Sequence, residues 1–186
     1  MKTTASWARA ARSSALALAL CAGCASAPPA SLLHAPARGD RAAPIDLGLP
    51  CLGGRVTLSS LRGQAVLLVA ITTENLASQA LLRNVDRVAA AHPEGVVALA
   101  FAGDRMPERA LTTVLETYRD VAGLQRVRLC GADDPVRSGE TDLGVIEHVP
   151  TLFFLNRAGA VVRRLEAVPT VAELEAMIAP ALPPGR

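Results

Sequence analysis

Apolar residues in this chain follow two different periods, and the change from one to the other marks the elements. Ile45, Leu47 and Leu49 alternate with other residues, Gly53-Gly54 supplies a turn, and Val56 and Leu58 alternate again, which predicts a β-hairpin. Ala65–Ile71 is an unbroken apolar run of strand length. Leu76 to Ala91 then carries Ala80, Leu81, Val85, Val88 and Ala89 on one helical face, and His92-Pro93-Glu94-Gly95 ends that helix. Val96–Phe101 is a second buried strand. Pro107 stands where a helix can begin, and Leu111, Val114, Leu115, Tyr118 and Val121 predict an amphipathic helix to Ala122. Val127–Cys130 is a short strand, Asp133-Asp134-Pro135 opens a polar loop, and Val149–Leu155 is a third buried strand opened by Pro150. Arg157-Ala158-Gly159 turns into a strand over 160–164. Thr170-Val171-Ala172-Glu173 has capping-box spacing and starts a last helix to Ala179. Strands alternating with helical patterns predict an α/β fold with a central sheet covered by helices.

The first residues have no place in that series. Lys2, Arg9 and Arg12 precede the apolar run 15–20, which is too short to span a bilayer, and this order of parts is that of an export signal. Ala22-Gly23-Cys24 after the run resembles a bacterial lipobox with Cys24 as the lipidated residue, although Cys21 stands where Leu is usual. The alternative is ordinary cleavage after Ala25-Ser26-Ala27. Either places the domain outside the cytoplasm. Residues 1–23 thus read as a signal peptide of lipoprotein type. Residues 24–43, rich in Ala and Pro, read as a tether, 44–180 as the folded domain and 181–186 as a tail.

The signal carries three of the 19 basic residues and none of the 17 acidic ones, so the remaining chain is close to neutral. That balance gives no electrostatic argument for nucleic acid or for an anionic membrane surface. Aromatic residues are 3% of the chain, and the sole Trp, Trp7, lies in the signal, so no stacking surface for bases is offered either.

The sequence from Ala65 to Ala91, with its turn Thr72-Thr73-Glu74-Asn75, followed by the distant Val149-Pro150-Thr151 strand, resembles the thioredoxin fold in its TlpA-like (redoxin) branch. Leu58-Ser59-Ser60-Leu61-Arg62-Gly63 is similar to the segment that leads into the first core strand of that branch. The resemblance covers roughly 44–180 and implies a thioredoxin-like fold: a central mixed sheet flanked by helices, with an N-terminal hairpin. It also implies thiol–disulfide exchange at a Cys-x-x-Cys, but the matching residues are Asn75-Leu76-Ala77-Ser78. Neither Asn nor Ser forms a thiolate, which exchange requires. The family's cis peptide falls at Val149–Pro150, facing the turn. A cis bond there leaves backbone groups of the preceding residue free for an extended peptide, so Val149, Pro150 and Thr151 are the expected binding surface.

Other chemistry at the turn is thin. Asn75 suits a helix N-cap. Ser78, His148 and either Glu74 or Glu147 make a nominal Ser–His–Glu set, against the plainer reading of a solvated loop with incidental charges. Thr72-Thr73-Glu74-Asn75 supplies the threonine of a peroxiredoxin Thr-x-x-Cys but not its cysteine. His34, His92 and His148 show no metal-ligand spacing, His34 and His92 are expected to face solvent, and no cofactor is called for. Cys51 and Cys130 remain as a candidate disulfide or as two separate buried thiols. These observations favour an envelope-anchored domain that binds a protein or peptide, or serves an assembly, without dithiol chemistry. The alternative is an oxidoreductase of the TlpA-like type that uses Cys51 or Cys130.

Overall fold

A computed structural model describes residues 43–182. The signal, Cys24 and all but the last residue of the tether lie outside the described residues, as do residues 183–186.

The sheet has seven strands: β1 Gly48–Cys51, β2 Gly54–Thr57, β3 Ala65–Ile71, β4 Val96–Ala102, β5 Val127–Gly131, β6 Thr151–Leu155 and β7 Val161–Leu165. Their order is β2-β1-β5-β4-β3-β6-β7. The neighbours β3/β4 and β4/β5 are parallel, and every other neighbouring pair is antiparallel. The helices are α1 Leu76–Ala91, α2 Glu108–Ala122, α3 Asp134–Ser138 and α4 Val171–Ile178, and a 3-10 turn, Leu58–Leu61, leads from β2 toward β3.

All seven residues of β3 are buried, because the sheet is covered on both faces. Leu67, Val69 and Ile71 meet Leu81, Leu82, Val85 and Val88 of α1, Leu111, Leu115 and Tyr118 of α2, and Leu174 and Ile178 of α4. Val66, Leu68 and Ala70 point the other way, into a second core closed by Ile45, Leu49, Leu58 and Leu61 from the N-terminal segment and by Val136 and Leu143. The N-terminal segment is therefore part of the covering layer.

Several expectations shift in detail. On α1 the inward face takes Leu82 in place of Ala80, and on α2 it takes Ala122 in place of Val121, which is 70% exposed. The polar segment after β5 is not all loop: Asp133 accepts a hydrogen bond from the Val136 amide and caps the five-residue α3. The hairpin docks β1 beside β5, so β5 lies inside the sheet. His92 is half-buried and its Nε2 lies 2.7 Å from Glu175 Oε2, tying the end of α1 to α4. Its predicted solvent-facing position was overturned by a partner 83 residues away, beyond the reach of sequence spacing.

Local chemistry explains where the elements stop. In the capping box of α4, the Thr170 amide and hydroxyl donate to Glu173 Oε2 at 2.7 and 2.8 Å and hold its carboxyl below the usual glutamate range. Because the folded value is lowered, this contribution is complete above roughly pH 4.5 and is lost as the pH falls through the lowered value. Gly159 (φ +80°) closes the β6–β7 turn against Arg62, whose guanidinium donates to the carbonyls of Ala158 and Ile45 at 2.7 and 2.8 Å. A Cβ at Gly159 would fall 1.0 Å from Arg62 Nη1, so only glycine admits this clasp between the hairpin layer and the last strands.

Candidate functional site: the β3–α1 turn and the Val149–Pro150 loop

The turn between β3 and α1 is fixed by three sets of hydrogen bonds. The Asn75 amide donates to the Thr72 carbonyl at 3.2 Å. Asn75 Oδ1 accepts from the Ser78 amide at 2.9 Å, which makes Asn75 the N-cap of α1. The Thr73 amide and hydroxyl both donate to the carboxylate of Asp104, which follows β4. Asp104 is a site residue that the sequence did not single out. Its one signal was an acidic residue next to Gly103 at the end of an apolar strand.

The second segment reaches the turn directly. The Val149–Pro150 peptide is cis, and Asn75 Nδ2 donates to the Val149 carbonyl at 3.4 Å. Pro150 is buried and Thr151 is fully so. The Thr151 hydroxyl donates to the His148 carbonyl at 2.6 Å, closing the loop on itself. One side chain of Asn75 therefore caps the helix and clasps the loop. Beside it, Leu76, the first residue of α1, is 81% exposed, and Val145 on the segment leading to the loop is 60% exposed.

Ser78 lies inside the first turn of α1 with no exposed surface, and its Oγ has no hydrogen-bond partner. Glu74, Glu147 and His148 are exposed. The nominal Ser–His–Glu set is thus not assembled: the hydroxyl is shut off from solvent and no base is bonded to it. An unpartnered buried hydroxyl is a liability. We therefore expect Ser78→Ala to leave stability unchanged or raise it by about 1 kcal/mol. Chemical denaturation of the two proteins checks this. A loss of more than about 2 kcal/mol would instead mean that the hydroxyl has a partner in solution.

Cys51 and Cys130 are a register pair between β1 and β5 and are joined by a disulfide, with S–S 2.00 Å. Cys51 is half-buried and Cys130 has no exposed surface. β5 lies two strands from β3, so the bond belongs to the second core and not to the turn. Attack on Cys51 would have to expel a Cys130 thiolate into that apolar core, where burial raises a thiol's pKa and makes it a poor leaving group.

No family model matches the chain, and no curated protein matches it. Solved structures do. A DsbF homologue from Corynebacterium diphtheriae superposes with a TM-score of 0.68 at 15% identity, covering 83% of this chain and 96% of that one. A thiol:disulfide interchange protein of the thioredoxin family from Chlorobium tepidum gives 0.61 at 18% identity, over 78% and 99%. An exposed lipoprotein thioredoxin from Streptococcus pneumoniae gives 0.59 at 14% identity, over 73% and 98%. Together with the mixed sheet, the helix that starts at the β3 turn and the proline loop against it, these likenesses establish that the chain has the thioredoxin fold.

Proposed function

We propose that this protein is an exported, lipid-anchored thioredoxin-fold module that holds an extended peptide or protein segment at the Asn75–Ser78 turn and the Val149–Thr151 loop, and carries out no dithiol exchange. The observation that supports it best is Leu76. A leucine 81% exposed at the first position of a helix, clasped through Asn75 to a backbone loop, is an apolar anchor beside main-chain groups. Burying such a side chain in a partner is worth ~1.5–3 kcal/mol, or roughly 10- to 100-fold in affinity. The turn itself holds no thiol, and the disulfide lies elsewhere with one sulfur sealed. Anchoring rests on Ala22-Gly23-Cys24, and the similarity to a lipoprotein thioredoxin is consistent with it. Detergent partitioning of the wild type, lost in Cys24→Ala, is the expected result, and aqueous behaviour of both would reject the anchor.

The binding reading is tested with a thiol-blocked unfolded polypeptide, carboxymethylated insulin B chain, titrated into the ¹⁵N-labelled protein. Amide shifts are expected at Leu76, Val149 and Thr151. Leu76→Glu should weaken binding at least 10-fold while leaving the thermal midpoint in place, because the side chain is exposed. Shifts elsewhere, no binding, or binding indifferent to Leu76→Glu would each reject the reading.

A further inference from the structure

A crevice opens at the carboxyl ends of the parallel strands, on the side of the turn away from Leu76's helix. This is where open α/β sheets commonly take ligands. Its inner part is a cavity of about 200 Å³ floored by Ala70, Phe101, Ala132, Val136 and Ile146. Arg105 and Arg137 line it and also line the outer cleft that continues past Met106 and Asp134.

The electrostatics of this crevice are one-sided. The Arg137 side chain is 28% exposed and is held in place by the Ala132 carbonyl and by Asp134 Oδ1, whose side chain is 92% exposed. Arg105, in the β4–α2 connection, makes no hydrogen bond or ion pair among the described residues. The neighbouring carboxylates do not line the crevice: Asp104 turns to Thr73, and Asp133 to the Val136 amide and Arg55. Among the side chains that line it, two guanidinium groups stand against the single carboxylate of Asp134, a surplus of one positive charge over an apolar floor.

We propose that the crevice binds a small amphiphilic carboxylate, its head between Arg105 and Arg137 and its short apolar tail in the inner cavity. The surplus of one charge matches a monoanion, and planar guanidinium forks match a carboxylate. A cavity of this size admits only a short alkyl tail. Val149 and Thr72 line the inner cavity as well, so an occupant would touch the back of the loop that faces Leu76. The site does not depend on peptide binding there, and either can fail alone.

Hexanoate is the probe, titrated into the intact ¹⁵N-labelled protein, with hexanol, acetate and inorganic phosphate in parallel. Saturable shifts are expected at Arg105, Val136 and Ile146, with a Kd on the order of 1 mM or tighter, as suits a ligand of this size. Hexanol lacks the head and acetate the tail, so each should bind at least about 5-fold more weakly. Arg105→Gln, an exposed position that leaves the Arg137–Ala132 contact intact, should weaken hexanoate by about 5- to 10-fold without moving the thermal midpoint. The proposal is overturned if hexanoate does not saturate, if the shifts lie elsewhere, if Arg105→Gln binds as well as wild type, or if inorganic phosphate outcompetes hexanoate.

Discussion

Installing cysteines at both ends of the turn, Asn75→Cys with Ser78→Cys, is expected to give this chain an insulin-disulfide reductase activity well above that of the wild type. The parts that thiol exchange needs are otherwise present. Residue 75 is the N-cap of a 16-residue helix, where exposed amides and the helix dipole favour an anion and lower a thiol's pKa. Ser78 fills a sealed slot with an unpartnered hydroxyl, so a sulfur of similar shape replaces it without breaking a hydrogen bond. The main penalty is the cap itself, about 1 kcal/mol when Asn is lost, together with the 3.4 Å clasp to the Val149 carbonyl. Reductant-driven insulin precipitation should run at least about 10-fold faster than with wild type, since the wild-type turn has no thiolate to contribute. Each single substitution should fall well short of the pair, because a lone cysteine cannot resolve its mixed disulfide. A folded double variant no faster than wild type would mean that the turn is not built for exchange.

The second large effect concerns the Cys51–Cys130 bond. It closes a loop with a sequence separation of 79 and pins the hairpin onto β5. In the chain-entropy view, closing a loop of that length contributes up to ~4.5 kcal/mol, and ~2–4 kcal/mol is typical in practice. A domain of this size has about 5–15 kcal/mol in all. Cys51→Ala with Cys130→Ala should therefore lower the unfolding free energy by about 2–4 kcal/mol. Added reductant should lower the wild type by a similar amount and leave the variant unchanged. Equal denaturation midpoints for oxidised and reduced wild type would contradict a stabilising role.

How much of this was legible in the sequence depended on range. β3, α1, the hairpin and the capping box of α4 rest on periods and spacings within a few residues, and each was readable from the chain. Asn75 was readable as a cap for the same reason. The features that were not readable join distant residues. Whether Cys51 meets Cys130 depends on which strand the hairpin docks against, and no local pattern encodes that choice. His92 found Glu175 only because α1 and α4 share a face of the sheet. Asp104 and Arg105 follow β4 as ordinary loop residues, and only the meeting of three strand ends gives them a role. α3 escaped because five residues are too few to show a helical period. Leu76 was read as the first residue of the helix, and its exposure became visible only once the rest of α1 had chosen its buried face.

Reduction of insulin disulfides by the wild-type chain tests the central claim most directly. With excess dithiothreitol, the rate should equal that of the enzyme-free control, because the turn offers no thiol and Cys130 is sealed in the core. A rate above the control that disappears in Cys51→Ala or Cys130→Ala would contradict it, and would make this protein an oxidoreductase working through the β1–β5 disulfide.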